Sequence, residues 1–211
     1  DIDASASFTL DDYEDKQLTM LGRTFDIVKA RSGGANNDKV TLTLMSGAAK
    51  DSILEGESKA YTVAGKEYEL SLVFTNTNDQ AKFTVNGETT PLMDEGDTET
   101  LSDGTVLGLS EVLYQDYAGG IHQAEFFLGA DKLELEDDSI NKTGSTDELK
   151  VNDETVDGAA VELQGSFLDA ATSTSDDGEL ELDVIFVNMT AQEDYFIAAG
   201  ETLSEQPELK E

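Results

Sequence analysis

The chain contains no cysteine and no tryptophan, and it has a single histidine, His122. Without cysteine there is no disulfide bond, no thiolate metal site and no thiol chemistry. Any histidine-based nucleophile–base pair would have to use His122, yet its neighbours Gly120-Ile121 and Gln123-Ala124 match no nucleophile elbow and no metalloprotease helix. The missing tryptophan also disfavours a sugar cleft. We predict that the protein is not an enzyme and that His122 is a structural residue at the start of a strand.

Basic residues are scarce as well. The chain has 13 Lys and Arg against 46 Asp and Glu, which gives a formal net charge of −33. Such a surface repels nucleic acid and anionic lipid, so neither is expected as a partner. No apolar run approaches the roughly 18 residues that a membrane-spanning helix needs. The charge leaves three interpretations open: adaptation to high salt, binding of divalent cations, or both. A very soluble acidic surface without a specific site would also account for most of the charge.

One short phrase occurs twice between Val40 and Leu109. It reads Glu55-Gly56-Glu57-Ser58 in the first copy and Glu95-Gly96-Asp97-Thr98 in the second, and a further glycine (Gly65, Gly104) follows each. Glycine tolerates the positive φ that tight turns need, and period-two alternation marks strands with one buried face. Each copy therefore predicts a turn, a short strand, a tight hairpin and a longer strand. Gly200-Glu201-Thr202 is a partial third echo.

Alternating apolar residues predict strands along most of the chain. Asn86-Gly87 between them is a strong hairpin signal, Gly129-Ala130-Asp131 is expected to form another hairpin turn, and a single bent strand is expected to break at Gly22. The predicted strands, given by range or by their alternating residues, are Ala6–Leu10, Leu18–Ala30, Val40–Leu44, Lys66–Phe74, Lys82–Val85, Val106–Tyr114, Ala124–Leu128, Leu133–Leu135, Ala159–Leu163 and Leu180–Val187. In the last of these, Leu180, Leu182, Val184 and Phe186 are predicted to share one face.

Frequent turn signals and two prolines favour an all-β fold of tandem antiparallel β-sandwich (Ig-like) domains. The alternation stops at the acidic residues 136–138, where we predict a domain boundary. We expect a hairpin-built β-domain at 1–137 that includes the N-terminal strand, a second β-sandwich at 138–205, and a tail or linker at 206–211.

Clustered carboxylates in turns provide the hard oxygen ligands that calcium prefers, so calcium is the one cofactor that the sequence suggests. The candidate ligands are Asp94, Glu95 and Asp97 in the second phrase and Glu136, Asp137 and Asp138 at the expected boundary, with further clusters at Asp11, Asp12, Glu14 and Asp15 and at Asp176 and Asp177. Such clusters are more often solvated turns, and no EF-hand loop is present. Two glycosylation triplets occur, at Asn141 and Asn188, of which Asn141 lies in the more polar context.

Several of these features together resemble the S-layer-like surface proteins of archaea, above all those of small-celled lineages. The resemblance rests on turn and strand motifs: Gly22 to Phe25, Leu54 to Ser58, Val85 to Glu88, Leu101 to Gly104 and Phe127 to Asp137, with weaker likeness at Val151 to Glu154 and Gly200 to Glu205. It implies an extracellular, self-assembling, non-enzymatic coat at the cell surface, often calcium-dependent and glycosylated. Members of that family are much longer, so the chain resembles an N-terminal portion or a processed fragment.

The predicted function is therefore that of an extracellular structural protein that assembles with copies of itself into a cell-surface array. The alternative is a filament subunit whose N-terminal strand, around Ala6–Leu10, inserts into the next subunit.

Overall fold

The computed structural model describes residues 10–14, 16–20, 22–33, 39–117, 119–140, 147–167 and 180–190. Apart from one 3₁₀ turn at Leu10–Tyr13, every regular element in these ranges is a β-strand. The strands are β1 Gln17–Met20, β2 Arg23–Gly33, β3 Lys39–Leu54, β4 Ser58–Val63, β5 Lys66–Thr75, β6 Gln80–Val85, β7 Glu88–Thr89, β8 Met93–Asp94, β9 Thr98–Thr100, β10 Val106–Tyr114, β11 His122–Asp137, β12 Glu148–Val151, β13 Glu154–Thr155, β14 Ala159–Phe167 and β15 Leu180–Met189.

The strands form three antiparallel sheets, as the all-β prediction requires. The largest sheet has the order β1-β2-β3-β11-β10-β9, with β12 added to β11 and β13 added to β12. A five-stranded sheet has the order β4-β5-β6-β7, with β8 also paired to β6. The third sheet is the hairpin-like pair β14-β15.

Two long strands of the large sheet, β3 and β11, run through two separate cores. In the first core, Phe126 and Leu128 of β11 pack against Leu70 and Phe83 of the five-stranded sheet. In the second, other residues of β3 and β11 pack against β14 and β15; the second core is made of Leu10, Phe25, Ile27, Ala30, Val40, Leu42, Leu44, Leu133, Leu135, Ile140, Leu149, Val161 and Leu163. Each core excludes water from one end of the same pair of strands.

Gly129 explains how one strand serves both cores, and it corrects the hairpin predicted at Gly129-Ala130-Asp131. The strand is continuous there, and β11 pairs with β3 on both sides of Gly129. Gly129 has φ +67°, and a Cβ on it would lie 3.1 Å from Val63 Cγ1. The β11 residues in the two cores change from even numbers before Gly129 to odd numbers after it, and the buried residues Phe127 and Ala130 on the other face make the opposite change. The glycine thus shifts the phase of the strand instead of reversing the chain.

The hairpin predicted at Asn86-Gly87 is confirmed. Val85 pairs with Glu88, and both loop residues have positive φ, +48° for Asn86 and +84° for Gly87, as a two-residue turn of type I′ requires. The strand predicted at Val106–Tyr114 is also confirmed, with the same bounds.

Three details of the predicted strands are wrong or only partly covered. The bent strand at Leu18–Ala30 is a hairpin, β1-β2, because Gly22 adopts φ +75° and lets the chain reverse. In β15 a bulge opposite Gln164 and Gly165 changes the phase, so Ile185 and Val187 point inward with Leu182 while Val184 and Phe186 are exposed. Leu10 belongs to the 3₁₀ turn, and the rest of the predicted strand Ala6–Leu10 lies outside the described residues.

Residues on both sides of the predicted boundary at 137–138 share a sheet and a core. Strand β12 pairs with β11 through residues 133–136, and Val161 and Leu163 of β14 pack in the second core. The division into folding units at 137–138 stays a prediction.

No helix in the described ranges is long and apolar enough to span a membrane.

Candidate functional site

The acidic phrase found twice in the sequence forms the same structure both times, and the fold contains a third copy. We call this structure the glutamate turn, after the glutamate that begins it: Glu14, Glu55 or Glu95. In each copy a backbone N–H two residues after the glutamate closes the turn by donating to the carbonyl just before it. These bonds are Lys16 N–H to Tyr13 O (3.1 Å), Glu57 N–H to Leu54 O (2.9 Å) and Asp97 N–H to Asp94 O (3.0 Å).

A short strand leads from each turn through a reversal of the chain into a longer strand, and that longer strand returns past the turn. The short strands are β1, β4 and β9, and the returning strands are β2, β5 and β10. The returning strand donates a backbone N–H to the turn in all three copies: Ile27 to Lys16 O (2.8 Å), Leu72 to Glu57 O (3.3 Å) and Leu109 to Asp97 O (3.0 Å).

Immediately after this bond the returning strand has a β-bulge. The register to the next strand shifts between Ile27 and Lys29, between Leu72 and Phe74 and between Leu109 and Glu111. Beyond the bulge the returning strand has also passed the end of the short strand, so its N–H groups on that side have no ladder partner among the described residues. An unpaired N–H at a half-buried position is costly, so it needs another acceptor.

The glutamate side chain is that acceptor. Its carboxylate takes the N–H three residues beyond the residue that bonded to the turn. The three bonds are Ala30 N–H to Glu14 Oε1 (2.9 Å), Thr75 N–H to Glu55 Oε2 (2.9 Å) and Val112 N–H to Glu95 Oε1 (2.7 Å). In each glutamate turn one carboxylate thus accepts a backbone N–H of the returning strand just past its bulge, beyond the residues that pair with the short strand.

The second acidic residue of the phrase has a separate role inside the turn. Glu57 Oε2 accepts the N–H of Leu54 (3.1 Å), and Asp97 Oδ2 accepts that of Asp94 (2.9 Å). Gly56 and Gly96 make the turn possible through φ of +82° and +85°.

The sequence did not reveal the first copy, because it lacks both signals that identify the other two. Lys16 stands where the other copies have an acidic residue, and Asp15, which is outside the described residues, stands where they have glycine. All three copies share a glutamate that stands three residues before the start of a short strand. The residue just before that strand provides the carbonyl that bonds to the returning strand. The third echo, Gly200-Glu201-Thr202, lies outside the described residues.

Glu95 is a partly buried carboxylate with other negative charges nearby. Burial raises the pKa of its carboxyl to about 7; the Val112 N–H opposes this rise, and the negative charges of Asp79, Glu14 and Glu111 add to it. A small polar cavity of about 190 Å³ beside it is lined by three cations, Lys29, Arg31 and Lys132, and by the carboxylates Glu95, Asp97 and Glu134. Two of those cations are engaged with carboxylates, Arg31 with Glu14 and Lys132 with Asp153.

The six predicted calcium ligands make separate hydrogen bonds and ion pairs with different parts of the chain. Glu95 and Asp97 accept backbone N–H groups as described above, and Asp94 Oδ1 accepts from Gln80 Nε2 (2.9 Å). Glu136 pairs with Lys39 (2.6 Å), while the backbone N–H of Asp138 donates to Asp147 (3.2 Å). In the described ranges no three His, Asp or Glu side chains are grouped to hold a metal ion. Calcium binding stays a prediction.

Asp137 is a buried carboxylate that ties β11 to β14. Its side chain is completely covered, and it accepts the N–H of Leu163 (2.7 Å) and that of Ser139 (2.8 Å). Burial raises the pKa of the Asp137 carboxyl, against the effect of these two bonds. Because it joins the end of a shared strand to the second core, its position is structural.

His122 lies at the start of β11, as predicted. Its ring stacks on Tyr114 with centroids 4.2 Å apart, and its Nδ1 is 3.7 Å from Glu55 Oε2. That oxygen already accepts from the N–H and the hydroxyl of Thr75. Of the two glycosylation triplets, Asn141 lies outside the described residues, and Asn188 is exposed on β15, opposite Ala160.

Three exposed apolar residues lie together at one end of the large sheet. Leu54 and Leu113 flank Gln123 from the two neighbouring strands, and Ile121 precedes Gln123 by two residues. Side chains two residues apart share a face of a sheet, as do residues directly opposite. Leu54, Leu113 and Ile121 are 47%, 39% and 45% exposed. We call them the terminal patch.

A larger apolar feature lies between two strand edges. The strand groove, as we name it, has a volume of about 740 Å³ and runs between β1 and β15, with Ile27 and Leu42 among its lining residues. Within the described residues β1 pairs only with β2 and β15 only with β14. The Leu182 N–H donates to Tyr13 Oη (2.6 Å) across the groove.

No protein-family model, no curated protein and no solved structure matches the chain at a significant level.

Proposed function

We propose that the chain is a non-catalytic structural module of an extracellular cell-surface array, built from immunoglobulin-like sandwiches that associate with copies of themselves. The glutamate turns support a structural role, because acidic side chains that were candidates for chemistry serve as acceptors for backbone N–H groups. The two long shared strands support it too, because they connect both cores into one stiff body.

The observation that carries the proposal is the terminal patch. The chain has a net charge of −33, yet these large apolar side chains are grouped in water at the end of a sheet. Covering them with another surface removes them from water and is therefore favourable. A second copy of the chain offers the same patch, which suits a symmetric contact between two sheet ends.

The charge sets the conditions for assembly. Copies that carry −33 each repel one another at low ionic strength, and salt shortens the range of that repulsion from about 30 Å at 0.01 M to about 3 Å at 1 M. Divalent cations screen more strongly, so calcium acts in this proposal as a counterion whether or not a specific site exists.

Light scattering of the purified chain across a salt titration tests the proposal. The unaltered chain is expected to associate as salt rises, and Leu113→Lys is expected to remain a single particle at every salt concentration. Leu92→Lys is the matched control: Leu92 is 43% exposed but lies outside the terminal patch, so this variant should associate like the unaltered chain. Association of Leu113→Lys equal to that of the control would remove the patch as the contact.

The strand groove favours a second candidate function, a filament subunit that receives a strand from its neighbour. The proposed donor is the N-terminal segment. Deletion of residues 1–9 tests this candidate and leaves Leu10, which is fully buried, in place. A strand-donating filament would no longer polymerise, whereas an array held by the terminal patch would still form.

A further inference from the structure

The terminal patch and the strand groove lie at opposite ends of the two shared strands. Leu54 is the last residue of β3, and Gln123, which lies between Leu54 and Leu113, is near the start of β11. The groove is lined by Leu42, near the start of β3, which pairs with Leu135 near the end of β11. At about 3.3 Å per residue, the stretch from Leu42 to Leu54 is about 40 Å long. The two apolar surfaces are therefore offered to different neighbours.

A symmetric contact between two terminal patches uses the same surface of both copies and ends at a pair. It would also bring carboxylates towards one another, because Glu111 and Glu125 lie directly opposite each other in the next row on the same face as Leu113 and Gln123. The proposed array has to continue beyond two copies. It therefore needs a contact between two different surfaces.

The strand groove suits an apolar surface of another copy. Its volume of about 740 Å³ is within the roughly 300–1,000 Å³ of pockets that enclose a drug-sized molecule, so it can receive several side chains. The charged residues that line it are Lys16 and Asp183, so this surface carries no net formal charge although the chain carries −33. Another acidic copy therefore meets less repulsion here than at an acidic surface.

Hydrogen bonds between its walls hold the groove in shape. Tyr13 Oη accepts the N–H of Leu182 (2.6 Å), which ties β15 to the turn before β1. The Ile27 N–H donates to the carbonyl of Lys16 (2.8 Å) and fixes the residue just before β1. A preformed surface loses less conformational entropy on contact than one that must first become ordered.

The loop after β10 adds an aromatic side chain beside the terminal patch. Tyr117 is 65% exposed, and its hydroxyl donates to Gln115 Oε1 (2.6 Å). The same oxygen accepts the N–H of Ile121, a member of the patch (3.0 Å). The hydroxyl is thus already bonded, and the exposed ring is held next to the patch. Tyrosine side chains of this kind are frequent anchors in the pockets of partner surfaces.

We propose that the terminal patch of one copy, together with Tyr117, packs into the strand groove of the next copy. This inference rests on the proposed function, because it names the surface that the terminal patch contacts. Each copy then uses one end as the donor and the other end as the acceptor. Such a contact repeats from copy to copy and produces a line of chains, which is one direction of the proposed array.

Mixtures of two disabled variants test the inference. Leu113→Lys alters the patch, and Val184→Lys places a charge in the groove at a lining residue that is 40% exposed. Thr19→Lys alters the opposite wall, so a folding defect in one groove variant does not decide the result. Val151→Lys is the matched control, because Val151 is 37% exposed and lines neither surface. Particle mass is measured by sedimentation at the salt concentration at which the unaltered chain associates.

The inference predicts that Leu113→Lys, Val184→Lys and Thr19→Lys each remain single particles alone, while Val151→Lys associates like the unaltered chain. An equal mixture of Leu113→Lys with either groove variant is expected to form pairs of twice the single-chain mass. Each pair combines the intact groove of one variant with the intact patch of the other, and it has no further intact contact with which to grow. Adding Tyr117→Ala to Val184→Lys is expected to weaken the pairing at least tenfold.

The possible contrary results separate the inference from the proposed function. Groove variants that associate like Val151→Lys, while Leu113→Lys stays single, would overturn the inference and leave the proposed function standing. Mixtures that stay single with both groove variants would overturn the inference as well, and pairing unchanged by Tyr117→Ala would remove that residue from the contact. If Leu113→Lys associates alone, the terminal patch is not the contact, and the proposed function fails together with the inference.

Discussion

At the scale of the residue, the acidic character of this chain has a local use. Glu14, Glu55 and Glu95 each supply a carboxylate to a backbone N–H of the returning strand just past a bulge, where the short strand has ended. An ionised acceptor makes a shorter and stronger bond than a carbonyl does. Part of the acidic composition is therefore explained by sheet geometry, without any ligand.

Alanine substitution of these glutamates should be costly. Glu55→Ala and Glu95→Ala each leave a backbone N–H without an acceptor, so we expect a loss of about 1–3 kcal/mol in the free energy of unfolding. Urea denaturation followed by circular dichroism measures this loss. Glu67→Ala, at an exposed position of β5, is the control and should stay within about 0.5 kcal/mol. Equal effects at all three positions would show that the carboxylates do not support the bulges.

Glu95 predicts a particular dependence on pH. Its native-state pKa of about 7 lies above the ordinary value of 4.5, so the folded chain binds the proton more tightly than the unfolded chain does. The contribution of Glu95 to stability is then full below pH 4.5 and falls as the pH rises towards 7.

Glu95→Gln keeps an oxygen acceptor for the Val112 N–H and removes the charge. We expect this variant to be more stable than the unaltered chain at pH 8, by about 1–2 kcal/mol, and the two to converge near pH 4.5. Denaturation curves recorded between pH 4 and pH 8 provide the comparison. A variant that is less stable at pH 8 would mean that the ionised carboxylate is the better acceptor and that its burial costs little.

At the scale of the element, strands β3 and β11 extend through both cores because their buried faces change phase. In β3 the buried core positions change from Val40, Leu42 and Leu44 to Ile53, an even to odd change that mirrors the one at Gly129 in β11. When the alternation of apolar residues along a strand changes phase at a glycine, the sequence looks like two strands joined by a turn. Pairing with the neighbouring strand decides between these alternatives, and a single sequence does not contain that information.

Gly129→Ala tests the importance of this change of phase. An alanine would need to adopt φ +67° with its Cβ 3.1 Å from Val63 and 3.3 Å from Ala48. We expect a loss of about 1–3 kcal/mol in the free energy of unfolding. Gly33→Ala is the control, because its φ is ordinary and no atom lies within 4 Å of the added Cβ. If the two variants were equally stable, the strand could change phase without a glycine.

The elements that the sequence predicted well are those with local signals. Asn86-Gly87 specifies its own turn. The two glutamate turns that contain glycine were recognised because the same short sequence of acidic residues and glycine occurs in both. The copy at Glu14 was missed because it has neither the glycine nor the second acidic residue that marks the other two copies in the sequence. The terminal patch and the strand groove were also beyond prediction, because each is formed by residues from strands distant in the sequence.

At the scale of the whole molecule, the shared strands join the two cores mechanically. If one core unfolded, it would release one end of β3 and of β11 and expose apolar residues of the other core. We therefore expect a single cooperative transition. Calorimetry combined with circular dichroism measures this, with equal calorimetric and van't Hoff enthalpies as the criterion. Two separate transitions would instead show that the two cores unfold independently in spite of the shared strands.

The proposed array can be examined directly by electron microscopy of the purified chain in high salt, with and without calcium. We predict ordered assemblies in two dimensions that disappear at low ionic strength and do not form with Leu113→Lys, while Leu92→Lys still forms them. Single particles under every condition, or assemblies that are unaffected by the change at Leu113, would contradict the claim that this protein works by contact between copies of itself through the terminal patch.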